Sequence, residues 1–112
     1  MLAKANRIVR GDDYRAVVRR GMRTTLPHAV VYRRPTPSTA APRFGFIVAK
    51  NVGNAVHRNL VRRRLKAIAA SHLHDGASGD IVVRALPGSA ETSWVTLSAE
   101  ISGGLNTGGR KV

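Results

Sequence analysis

The stretch Arg43-Phe-Gly-Phe-Ile-Val-Ala-Lys50-Asn-Val-Gly-Asn54-Ala-Val-His-Arg58-Asn-Leu-Val-Arg62-Arg-Arg-Leu-Lys66 changes its periodicity half-way along, and the change decides the fold. From Arg43 to Lys50 the pattern repeats every two residues. Phe44, Phe46 and Val48 point to one face, and Gly45, Ile47 and Ala49 to the other, as on a strand. Gly53 breaks that run. From Asn54 to about Leu73 the chain is dominated by Ala, Leu, Arg and Lys, which are good helix formers. Asp75 to Gly79 then reads as a loop. Asp80 to Ala85 carries the apolar triplet Ile81-Val82-Val83, a strand that Pro87-Gly88 ends. Strand, long helix and strand over residues 43–85 make one βαβ-like crossover.

Outward from this unit the signals are shorter. Gly11-Asp12-Asp13 offers a helix start with carboxylates at the positive end of the helix dipole. Tyr14, Val17 and Val18 then recur at helical spacing until Gly21. His28 to Arg34 reads as a strand around Ala29-Val-Val-Tyr32, with room for a further strand near Thr25. Pro35 to Pro42 is a proline-rich loop. A weaker last helix is expected from Ala90 to Ile101, packing Trp94, Leu97 and Ile101. The expected architecture is an α/β (α+β) sandwich of one small domain over residues 1–112, in the order α-β-β-(β)-α-β-α. It has one mixed sheet and a long basic helix in the crossover. Residues 1–10 and the glycine-rich residues 103–112 are expected to be flexible.

Charge narrows the function. Nineteen Lys and Arg against six Asp and Glu give a net charge of +13, and residues 1–66 hold sixteen of the cations against only Asp12 and Asp13. Self-repulsion of that size opposes folding unless a polyanion lies nearby, and nucleic acid is the usual one. With no cysteine, disulfides, zinc-thiolate sites, iron–sulfur sites and thiol nucleophiles are excluded. No apolar run approaches the roughly 18 residues of a membrane span, and the N-terminus lacks the apolar core of a signal peptide. The expected location is therefore cytoplasmic, with no membrane partner.

Helical geometry sorts the basic cluster. At about 100° per residue, with Arg58 at zero, Arg62 falls near 40°, Lys66 near 80°, Asn59 near 100° and Arg63 near 140°. Val61, Leu65 and Ile68 share the opposite, core-facing side, and Arg64 lands near 240°, off the basic arc. Guanidinium forks suit phosphate, and Asn59 among them can reach a base edge, a ribose hydroxyl or a water on a metal. The helix start at Gly53-Asn54 adds free N–H groups. The expected polyanion surface is Lys50, Asn54, His57, Arg58, Asn59, Arg62, Arg63 and Lys66. Catalytic chemistry finds no constellation. The six acids are scattered, a two-metal nuclease needs several converging carboxylates, and His28, His57, His72 and His74 share no face. No catalytic residue and no metal site is expected in this chain.

The run Lys50 to Lys66 resembles the signature of the bacterial ribonuclease P protein family. Asp13 to Gly21 is similar to that family's first helix, Val30-Val-Tyr32 and Arg43 to Lys50 to its strands, and Asp80 to Arg84 to the strand after the long helix. Three positions depart from the family pattern: Leu60 where an arginine is usual, Asn51 where a lysine is usual, and Val18 where an aromatic is usual. The resemblance implies a left-handed crossover and a non-catalytic protein subunit of an endoribonuclease. An RNA subunit, with Mg²⁺ bound mainly by that RNA, would remove the 5′ leader of precursor tRNA. The protein would bind the RNA subunit through the arginine-rich helix, as a monomer in a 1:1 ribonucleoprotein. A single-stranded leader needs a basic groove with aromatic or apolar platforms, and Tyr14, Val18, Arg19, Tyr32, Phe44 and Phe46 are the candidates. Phe44 and Phe46 also suit plain core, whereas Tyr14 and Tyr32 are expected to be partly exposed because their hydroxyls need partners. The alternative is a structural RNA-binding protein of the ribosomal type. A DNA-binding module would need a base-reading recognition helix, which is not evident.

Overall fold

The structure is a computed structural model that describes residues 2–37, 40–74 and 77–108. Three helices, α1 (Gly11–Arg20), α2 (Ala55–His74) and α3 (Trp94–Gly108), surround four strands: β1 (Met22–Thr25), β2 (Ala29–Arg34), β3 (Arg43–Ile47) and β4 (Asp80–Ala85). The sheet order is β1-β2-β4-β3. β1 and β4 both run antiparallel to β2, and β3 runs parallel to β4, so α2 carries the chain between adjacent parallel strands. The strand anticipated near Thr25 is β1.

Both faces of the sheet are covered, and the two-residue alternation sorts the side chains between them. Ala29, Val31, Phe44, Ile81 and Val83 enter one core with Val61, Leu65 and Ile68 of α2 and Leu97, Ile101 and Leu105 of α3. Val30, Tyr32 and Val82 enter a second core with Val17 of α1 and Ile8, flanked by Tyr14, Val18 and Ile47. The buried stripe of α2 is the one that helical geometry selects.

Described residues near both ends pack against the rest of the domain. Leu2 and Ile8 are buried, the Ile8 N–H donates to the Phe44 carbonyl at 2.8 Å, and Asn6 Nδ2 donates to the Pro42 carbonyl at 2.8 Å. Residues 6–8 thus lie along the outer edge of β3, and Arg7 forms a bridge with Phe44. At the other end, α3 starts at Trp94 rather than Ala90, because Ser93 caps it: the Thr96 N–H donates to Ser93 Oγ at 3.1 Å. It then continues through Gly103-Gly104 to Gly108. Leu105 is buried, its carbonyl accepts a bond from Arg33 Nη1 at 3.2 Å, and a Cβ on Gly104 would sit 2.7 Å from Leu26 Cδ1. That packing outweighs the roughly 1 kcal/mol that each helical glycine costs. Residues 109–112 of the expected tail and Asp75 of the expected loop lie outside the described residues.

One ion cluster ties α1 to the sheet. Arg43 donates from Nε to Asp80 Oδ1 at 2.9 Å and from Nη2 to Asp80 Oδ2 at 2.7 Å, and from Nη1 to Asp13 Oδ2 at 3.3 Å. The hydrogen bonds to Asp80 hold the Arg43 guanidinium protonated well above its ordinary range, against the desolvation of burial. Asp13 is in the first turn of α1, so this cluster anchors the helix one residue before Tyr14.

Candidate nucleic-acid interface

The α2 ridge is built from its cap outward. Gly53 takes φ 149°, a left-handed backbone conformation that favours glycine, and a Cβ there would meet His57 Cβ at 2.9 Å. Asn54 follows as the N-cap: its Oδ1 accepts the His57 N–H at 3.0 Å, and His57 Nδ1 lies 2.9 Å from the same oxygen. Asn54 is therefore committed to the helix start, and one of the N–H groups expected to be free there is taken. Beyond the cap, Lys50, His57, Asn59, Arg63 and Lys66 are exposed, and Arg58 and Arg62 are half-buried. Asn59 Oδ1 accepts from Arg62 Nη1 at 3.1 Å and so orients that guanidinium. Arg64 turns away, donating from Nη1 to the Thr92 carbonyl at 3.0 Å on the chain leading into α3.

Electrostatics separates this ridge from the rest of the molecule. Among the described residues every ion pair lies elsewhere: Asp12 with Arg15, Asp13 and Asp80 with Arg43, and Glu100 with His28. Lys50, Arg58, Arg62, Arg63 and Lys66 have no carboxylate partner in that set. Five cations left uncompensated on one face are a surface for a polyanion.

A cleft of about 210 Å³ opens where α2 faces the edge of β3, lined by Arg7, Ile8, Tyr14, Phe44, Phe46, Arg62 and Lys66. Tyr14 reaches over β3 because Gly45 has no side chain; a Cβ there would lie 2.5 Å from Tyr14 Cε1. The Phe46 N–H, on the outer side of β3, donates to the Tyr14 hydroxyl oxygen at 3.2 Å. One wall is thus aromatic and the other basic, a combination that suits a single-stranded nucleic acid.

The six candidates for single-strand contact divide. Tyr14 and Phe46 line the cleft and remain half-buried. Phe44 reaches its floor but is 1% exposed, so it acts as core. Tyr32, expected to be partly exposed, is buried at 5% in the core beneath α1, with the Arg84 guanidinium 5.7 Å from its ring centroid. β2 is paired on both sides, with β1 and with β4, and so has no open edge. Val18 packs on that same core and Arg19 is exposed at the end of α1; neither lines the cleft. Arg7, which no local pattern singles out, does line it, because pairing along β3 brings it there.

A model of the family described as Ribonuclease P matches residues 2–107. The chain belongs to the ribonuclease P protein family. It is 51% identical to the ribonuclease P protein component of Clavibacter michiganensis, with both chains covered in full. It is 43% identical to that of Pseudarthrobacter chlorophenolicus over 96% of this chain and 79% of the relative. The fold is similar to the Staphylococcus aureus RNase P protein, with a TM-score of 0.81 at 24% identity over 93% of this chain and 95% of that one. Against the Thermotoga maritima RNase P protein the TM-score is 0.79 at 22% identity, over 90% and 96%. The chain is the protein subunit of the endoribonuclease ribonuclease P, and it acts with the RNA subunit in processing the 5′ leader of precursor tRNA. The ribosomal-type alternative is set aside by the same matches.

Proposed function

We propose that two adjoining surfaces divide the work. The ridge of Lys50, His57, Arg58, Asn59 and Arg63 docks the RNA subunit. The cleft between Tyr14, Phe46, Arg62 and Lys66 holds the single-stranded 5′ leader. The ribonucleoprotein is a 1:1 particle of the cytoplasm, and Mg²⁺ is held mainly by the RNA. Bond breaking takes place on the RNA, while the protein supplies orientation and phosphate neutralisation.

The observation that carries this reading is the cleft itself, where an aromatic wall and two carboxylate-free cations of α2 face each other. Tyr14 is its most informative residue. Tyr14→Ala should weaken binding of leader-bearing precursor tRNA to the reconstituted enzyme by about 1–3 kcal/mol, the usual worth of a base–aromatic stack. Affinity for mature tRNA should stay within about twofold. Equal losses on both substrates would show that Tyr14 serves the fold alone.

A further inference from the structure

The two edges of the sheet differ. Residues 6–8 lie along the outer edge of β3, whereas β1 has β2 on one side and, among the described residues, no strand on the other. Pairing fixes which backbone groups are left over. The Leu26 N–H donates to the Ala29 carbonyl at 2.8 Å, so by the alternation of an antiparallel ladder Thr24 and Met22 exchange bonds with Val31 and Arg33. Arg23 and Thr25 stand at the alternate positions, with their N–H and C=O groups pointing away from β2. Among the described residues no backbone bond outside the ladder reaches them. Two donors and two acceptors in alternation are a template for one more strand. The side chains add a chemistry. Arg19, Arg20 and Arg23 are exposed and have no carboxylate partner among the described residues. Arg23 stands opposite Tyr32, on the α1 side of the sheet. Met22 stands opposite Arg33, on the α3 side, and is 60% exposed.

We propose that β1 receives an extended acidic segment of a partner protein as a fifth strand of the sheet. The segment's backbone pairs with the open N–H and C=O groups of Arg23 and Thr25. Its residues on the α1 side meet Arg23 and are Asp or Glu, and those on the α3 side meet Met22 and Thr24 and are apolar. Charge selects this occupant over a second copy: two chains of +13 repel, and cations on an edge strand discourage such pairing. Backbone chemistry selects it over RNA, because phosphates accept from the two N–H groups and leave the two carbonyls without donors. β1 lies three strands from β3, about 14 Å across the sheet, so the segment is bound without touching the cleft.

The probe is a capped octapeptide alternating Glu and Val, and its counterpart alternating Lys and Val is the control. Amide hydrogen exchange of residues 22–25 is followed by mass spectrometry in the protein alone and in the holoenzyme. The Glu–Val peptide should slow exchange there by about tenfold, the worth of one or two new backbone bonds, and the Lys–Val peptide should not. Thr25→Pro deletes an N–H that β2 does not use, and Arg23→Glu reverses the charge of an exposed side chain. Each variant should weaken peptide binding by about tenfold, with cleavage of precursor tRNA by the holoenzyme unchanged. No protection by the Glu–Val peptide, equal protection by both peptides, or binding that survives both variants overturns the proposal. Protection of residues 22–25 by the RNA subunit before peptide is added gives the edge to RNA and overturns it too. Protection that grows with concentration of the protein alone gives the edge to a second copy, with the same consequence.

Discussion

Replacing Arg62 and Arg64 one at a time with alanine separates two roles on one helix. The two side chains are two residues apart, of the same type, and both half-buried. Arg62 lies in the cleft wall beside Lys66, oriented by Asn59, whereas Arg64 is spent on the Thr92 carbonyl. Each phosphate neutralised by a cation releases counterions and adds about −0.7 to −0.9 to the slope of log affinity against log salt. The three cations that line the cleft, Arg7, Arg62 and Lys66, thus contribute a slope of about −2 to −3 to the binding of leader-bearing substrate. Arg62→Ala should reduce that slope by about 1 and weaken binding of leader-bearing precursor tRNA by about 1–3 kcal/mol. Arg64→Ala should leave the slope alone and cost about 1 kcal/mol of folding stability through the lost bond to Thr92. Filter-binding titrations of the holoenzyme and its substrate across a salt series give the slopes, and urea unfolding gives the stabilities. Equal changes of slope for the two variants would refute the sorting of the basic face by helical geometry.

Three further outcomes follow from the packing. Asp80→Asn removes a nearly buried carboxylate that holds Arg43 by two bonds, so urea unfolding should show a loss of about 2–4 kcal/mol, with leader-dependent binding weakened as α1 loosens. Gly45→Ala drives a methyl into the Tyr14 ring and should cost about 1–3 kcal/mol, while Gly104→Ala meets only the end of the Leu26 side chain and should stay within about 1 kcal/mol of wild type by the same measurement. Tyr32→Ala should destabilise the fold by about 3–5 kcal/mol and lower affinity for leader-bearing and mature tRNA alike, because its ring is core.

Local pattern made the long helix and its two faces legible. Val61, Leu65 and Ile68 are buried where a 3.6-residue period puts them, and the alternation Phe44, Phe46, Val48 against Gly45, Ile47 sorts correctly between the two cores. Cap chemistry is legible too: Ser93 ahead of Thr96 marks the start of α3, and Asn54 three residues before His57 marks that of α2. The remainder depends on contacts distant in sequence. Tyr32 is buried because β2 ends up between β1 and β4 under α1, and no window around Tyr32 contains that information. Arg7 enters the cleft only through pairing with β3, 37 residues away in the chain. Gly103 and Gly104 oppose a helix locally and are overruled by the seat of Leu105 in the core and of Gly104 against Leu26.

Cleavage of a precursor tRNA in parallel reactions with this protein alone, with its RNA subunit alone and with both tests most directly where the chemistry resides. The described carboxylates are dispersed among cation partners and the loop before α3, so the protein alone should yield no 5′-matured tRNA at any Mg²⁺ concentration, while the two together should cleave at the leader junction at a Mg²⁺ concentration too low for the RNA alone. Accurate cleavage by the protein freed of RNA would contradict the account.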